Sequence, residues 1–167
     1  MSPDEIHKIG IREVAGLHKQ MLGVMAETHF KGDFAAFLKF LRTDPQFYPK
    51  TGDELLKDAA WLAKRVDGKV GDIIGRLPRG RFTIEPVPAD VAPVYTAGRG
   101  GPHIYLVNTY DLPSRPLYAL PALTLHESSP GHSLQLSLAE EQPEVPQYRR
   151  FNYISAYGEG WALYCEY

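Results

Sequence analysis

From Pro3 to about His29 apolar residues recur at three- and four-residue steps, through Ile6, Ile9, Val14, Leu17, Met21, Leu22 and Met25. That period predicts a helix. Gly32-Asp33 interrupts it, and Phe34, Phe37, Leu38 and Leu41 mark a second, shorter helix from Phe34 to Leu41. Thr51-Gly52-Asp53-Glu54 reads as a helix start, with a hydroxyl cap and early acids. Leu55, Leu56, Ala60, Leu62, Ala63, Val66 and Ile73 continue that helix, and Gly68 and Gly71 weaken its end.

After Pro78 the pattern changes. Arg81 to Pro88 and His103 to Thr109 are rich in β-branched and aromatic residues, and both are predicted strands. Gly98-Arg99-Gly100-Gly101-Pro102 between them reads as a flexible loop; no Gly-Lys-Ser/Thr follows to make a phosphate cradle. Helical spacing returns from Leu117 to Glu127, from about Gly131 to Glu141 and from about Phe151 to the end, with Pro143 and Pro146 separating the last two. The predicted fold is mainly α with a small β element, in a helical stretch over 1–78 and a β-plus-helix stretch over 79–167.

Composition narrows the partners more than the fold. At 167 residues, 44% of them hydrophobic and 23% charged, the chain is ordinary globular material. Eighteen basic against twenty acidic residues give a net charge of −2, which implies no nucleic-acid partner and no attraction to a membrane surface. Cys165 is the single cysteine, so there is neither an internal disulfide nor a thiolate cluster. No apolar run approaches the roughly 20 residues of a membrane span. Met1-Ser2-Pro3-Asp4-Glu5 is polar and acidic, unlike a secretory signal. Cys165-Glu166-Tyr167 stops inside an apolar-periodic segment without a Gly, Asn or basic closing turn, which predicts a fragment truncated at its C-terminus.

Candidate chemistry concentrates in Leu125-His126-Glu127-Ser128-Ser129-Pro130-Gly131-His132. Two imidazoles and adjoining carboxylates are the inventory of a zinc hydrolase. The two His of a standard zinc helix are four apart, but here they are six apart and Pro130 holds the position of the second. On one helix, steps of about 100° would set these side chains roughly 240° apart. Pro130 also lacks the N–H that would bond the His126 carbonyl, and it pushes Ser129 out of helical space. The residues read better as a break and restart, with His126 and Glu127 in the last turn of one helix. Ser129 would be the N-cap of the next, Pro130 its first residue, and His132 part of its first turn.

For two His beside a Pro-Gly turn, a surface or capping role is the simpler reading. Three features count against it: Glu127 directly follows His126, the segment before it is apolar, and a second carboxylate site lies downstream. On a helix, Glu159 and Glu166 are seven apart and share a face. Trp161, Leu163 and Tyr164 make that helix largely apolar, where an unpaired carboxylate is costly to bury. Gly158 and Gly160 flank Glu159 and suggest the close approach of something bulky. The plainer alternative is a solvated Glu at a loose helix start.

Four runs together carry a resemblance. They are Val107-Asn108-Thr109-Tyr110, Pro116-Leu117-Tyr118-Ala119-Leu120, His126 to Gln135, and Tyr157-Gly158-Glu159-Gly160-Trp161 with Ala162 to Glu166. In this order they resemble the bacterial "domain of unknown function 885" family, whose members are similar to zinc peptidases of the gluzincin type. The detailed match covers about Val107 to Tyr167. The resemblance implies a zincin-like helical catalytic fragment, with His126, His132 and Glu159 as zinc ligands and Glu127 as general base. Ser133 departs from the family pattern, where a second consecutive His is frequent. Family members are typically several times longer, and many are exported or lipid-anchored, so the rest of a parent chain is expected to complete the cleft.

The implied reaction is zinc-dependent hydrolysis of a peptide or small amide. Tyr153 and Tyr157 are the candidate oxyanion donors and Glu166 the partner of a ligating His. The strand from His103 to Thr109 is a candidate for binding extended substrate along its edge, and His103 reads as a surface residue. The alternative is a non-catalytic binding module or an inactive fragment that keeps the peptidase fold.

Overall fold

A computed structural model describes residues 1–142 and 145–167, together with the backbone but not the side chains of residues 150 and 151. The protein is mainly helical with one three-stranded sheet, and it divides into two compact units, Met1–Pro45 and Gln46–Tyr167. Composition changes at residue 78, but compaction divides the chain after Pro45.

The first unit holds α1 (Pro3–Glu27) and α2 (Phe34–Thr43). Ser2 and Glu5 form a reciprocal capping box that starts α1, and the Asp33 side chain accepts from the Ala36 N–H at 2.8 Å to start α2. No residue of α1 is buried. Its apolar positions, Ile6, Val14, Leu17 and Leu22 among them, stay exposed.

The second unit opens with α3 (Gly52–Asp67), capped by Thr51 Oγ1 on the Glu54 N–H at 3.1 Å. The sheet follows: β1 (Thr83–Pro86), β2 (Gly98–Gly101) and β3 (Ile104–Val107), in the order β1-β3-β2. β1 runs parallel to β3, with Thr83 opposite Ile104, and β2 runs antiparallel to it, with Gly98 opposite Val107. β3 is therefore the central strand with both edges paired, which corrects the expectation that substrate could add along it. The glycine-rich run expected as a loop is strand β2.

Four helices complete the unit: α4 (Leu120–Glu127), α5 (His132–Glu140), α6 (Gln147–Phe151) and α7 (Ser155–Glu166). The helix expected from about Phe151 onward is α7, which begins at Ser155; α6 lies before it, separated by extended backbone at Asn152 and Ile154. Pro146 immediately precedes α6, whereas Pro143 lies outside the described residues. No described helix is long and apolar enough to cross a membrane.

The core joins α3, the sheet and α4 through Leu55, Ala59, Tyr105, Val107 and Leu120, with Phe82 and Ile84 packed against them. Burying Leu55 or Val107 is worth about 1.5–3 kcal/mol each. Asn108, completely buried, donates from Nδ2 to the carbonyls of Ala92, Tyr95 and Thr96, and its Oδ1 accepts from the Tyr110 N–H. Those bonds fix the segment entering β2, and β2 reaches the candidate site.

Candidate metal centre

The helical path breaks between α4 and α5. α4 ends at Glu127, and α5 begins at His132, with Gly131 at its N-cap position. Ser129 does not cap α5, which corrects the expected assignment. The Ser128 carbonyl instead accepts from the N–H groups of Ser133 and Leu134, at 3.0 and 3.4 Å. A carbonyl folded over the start of α5 does the work of a side-chain cap, so no hydroxyl is needed there. The Ser129–Pro130 peptide is cis.

Across this break the His126 and His132 ring centroids lie 4.8 Å apart, nearly perpendicular at 86°. One possible ligand atom from each of His126, Glu127 and His132 lies within 4.8 Å of the others. Glu159 enters from α7, with Oε2 at 3.4 Å from the Nε2 of both His126 and His132. Two turns further on, Glu166 Oε1 is 2.7 Å from His126 Nδ1. With Nδ1–H donating to Glu166, the Nε2 lone pair of His126 faces Glu159 and the second imidazole. The Nδ1 of His132 has a looser neighbour, Gln135 Oε1 at 3.5 Å.

Those spacings decide what the cluster suits. Charge-assisted hydrogen bonds between imidazole and carboxylate run about 2.7–2.9 Å, shorter than 3.4 Å. Tetrahedral zinc at about 2.0–2.1 Å from nitrogen and oxygen ligands sets those ligand atoms roughly 3.3–3.4 Å apart. His126, His132 and Glu159 fit such an ion by donor type, and Glu159 fits it by its spacing to each imidazole.

Glu127 is held differently. It is buried, and its Oε2 accepts from the Gly100 N–H at 2.6 Å. A Cβ at position 100 would run into the Glu127 carbonyl, so only glycine lets β2 pass this close. Nothing in the pattern of apolar positions points to Gly100; the available signal is a glycine-rich run between two predicted strands.

Glu159 is not the buried carboxylate that an apolar helix suggests. Its side chain is 51% exposed, and in α7 only Gly158 and Ala162 are buried. Its position follows from contacts rather than from a burial cost. Tyr153 donates to Glu159 Oε1 at 2.7 Å, and its phenol lies against Gly158, where a Cβ would collide with it. That ring is the bulky neighbour the glycines suggest, but it meets Gly158 alone, and Gly160 faces open space. The Tyr153 hydrogen bond, reinforced by His132 and His126 against the opposing effect of burial, holds Glu159 below its ordinary 4.5. Burial, with the Glu159 bond second, pushes the Tyr153 phenol up to about 12. Tyr157 stands one helical turn into α7 and is 68% exposed; Tyr153 alone of the two holds Glu159. His103 lies in the turn between β2 and β3, half-exposed and 3.4 Å from Glu140.

α7 is tied to the turn between α4 and α5 as well. The Trp161 Nε1–H donates to the Pro130 carbonyl at 2.9 Å.

The model of a family described as "Bacterial protein of unknown function (DUF885)" matches residues 1–167. The chain belongs to that family. A crystal structure of a "putative lipoprotein from Colwellia psychrerythraea" is similar to this DUF885 chain, with a TM-score of 0.90 and 32% identity. The match covers 99% of this chain and 31% of the other, so the chain spans less than a third of that protein's length. No curated protein matches the chain.

Proposed function

We propose that this DUF885 chain carries the catalytic centre of a zinc-dependent hydrolase of peptide bonds, similar to the gluzincin peptidases. His126, His132 and Glu159 hold the metal in this reading. Its main support is the position of Glu159 Oε2, 3.4 Å from both imidazole Nε2 atoms. Zinc there would act as a Lewis acid toward the substrate carbonyl and lower the pKa of water to about 7.

The chain's own residues supply the rest. Glu127 stands beside the pair with one oxygen pinned by Gly100. It takes the proton of the attacking water and returns it to the leaving amine. Tyr153 keeps its proton at neutral pH, and by turning its one O–H away from Glu159 Oε1 it can donate to the oxygen that becomes negative as the carbonyl is attacked. Glu166 fixes the tautomer and orientation of His126. The substrate is a peptide or a small amide.

Elemental analysis of the purified protein tests the reading. One zinc per chain is expected, and it should be lost on His126→Ala. A folded, metal-free protein that fails to take up added zinc overturns it.

A further inference from the structure

A cavity of about 640 Å³ lies beside the cluster. It lies between α5 and the stretch running from Val145 to Tyr157. Gln135 and Tyr153 belong to both places: Gln135 lines the cavity and neighbours His132, and Tyr153 lines it and bonds Glu159. Any molecule in the cavity is therefore next to the candidate metal ligands. The volume falls within the roughly 300–1,000 Å³ of small-molecule sites, enough for one or two amino-acid residues.

The walls are largely apolar, with Leu136, Ala139, Val145, Tyr148, Ile154 and Tyr157. Tyr148, Ile154 and Tyr157 are large side chains left exposed there. Among the described lining residues Arg149 is the one cation, and no acid joins it. Its guanidinium forms no ion pair with a described residue, and its place in α6 is set by the backbone bond from its N–H to the Pro146 carbonyl. A guanidinium without an ion pair among the described residues, beside apolar walls, suits a ligand that is apolar in its body and anionic at one end, because the planar fork binds a carboxylate bidentately.

We infer that this cavity is a substrate subsite in which Arg149 binds a carboxylate of the peptide, its apolar walls taking the side chain of the same residue. The inference rests on the hydrolase reading and gives it a substrate class: peptides carrying a carboxylate next to an apolar group close to the scissile bond. The free C-terminus of a peptide supplies that combination most simply. An acidic side chain beside an apolar residue supplies the same chemistry.

Binding separates this inference from the hydrolase reading, because it needs neither zinc nor turnover. Calorimetry on the full chain, metal-free and zinc-loaded, would use N-acetyl-leucine and its amide, together with the N-acetyl-leucyl dipeptide amides of glutamate and glutamine. The free acid is expected to bind at least tenfold more tightly than the amide without zinc. Arg149→Gln should remove that preference, and Arg149→Lys should restore part of it. A preference for glutamate over glutamine, also lost in Arg149→Gln, would instead make the acidic side chain the source of the carboxylate. Equal binding of all four probes, no binding of any, or an unchanged acid preference in Arg149→Gln overturns the inference. The hydrolase reading fails separately, on zinc content and on the cleavage of peptides.

Discussion

His126 is held from two directions, by Glu166 at Nδ1 and facing Glu159 at Nε2, and each contact has a different job. Glu166 orients the ring and keeps its proton on Nδ1, while in the proposed reading Glu159 would share the metal. Glu166→Gln keeps an acceptor for the Nδ1–H but removes its charge. Zinc affinity, measured by competition with a chelator, should fall about 10–100-fold while the circular dichroism stays that of the parent. Unchanged affinity would mean that Glu166 serves only to position α7. Glu127 offers the complementary case. Glu127→Gln still accepts from Gly100 but takes no proton, so zinc content should persist while peptide hydrolysis drops by about 10²–10⁴. Turnover at the parent rate in that variant removes Glu127 from the reaction.

At the level of elements, the site depends on how α7 meets the turn between α4 and α5. Seven residues separate Glu159 from Glu166, so one helix face delivers both carboxylates, provided α7 keeps its rotation about its own axis. Buried Gly158 and Ala162 set the approach of that face, and the Trp161 bond to the Pro130 carbonyl fixes it to the turn. Trp161→Phe preserves most of the ring and removes the donor. Denaturant unfolding should then show a loss of about 1 kcal/mol with an unchanged slope. Equal stability would place the whole anchoring in the Gly158 and Ala162 packing. Elements whose signal is local were legible in the sequence: α1 to α5 by their apolar period or caps, β1 and β3 by their β-branched residues. β2 was not, because Gly98, Gly100 and Gly101 carry no side chains to alternate, and only pairing with β3 makes them a strand. The separation of α6 from α7 was hidden as well. It follows from Tyr153 folding back onto Gly158 and Glu159, a contact that no period along the chain encodes. The residues of the candidate site could be picked out by type and order, but the Gly100–Glu127 bond and the choice of Tyr153 over Tyr157 depend on tertiary approach.

For the molecule as a whole, every group of the candidate centre lies within the unit Gln46–Tyr167, so the site's integrity follows that unit's stability. One of its ties joins the end of α3 to the chain entering β1: Asp67 Oδ2 meets Lys64 Nζ at 2.8 Å and Arg81 Nη2 at 2.7 Å. The Lys64 hydrogen bond first, then the charges of Arg81 and Lys64, hold the Asp67 carboxyl below its ordinary 3.8, with burial opposing them. A carboxyl lowered on folding binds its proton more weakly in the native state than in the unfolded one. Its stabilisation is therefore complete above about pH 3.8 and is lost as pH falls through the lowered native value. Asp67→Asn removes that linkage. The melting temperature of the variant should lie below that of the parent at pH 5–7, and the two curves should converge as the pH falls through the lowered native value. Lys64 and Arg81 are mostly exposed, so added salt should narrow the gap at neutral pH. A gap that stays constant from pH 7 to pH 2 would assign the loss to packing at Asp67 and rule out its charge as the tie between α3 and the sheet.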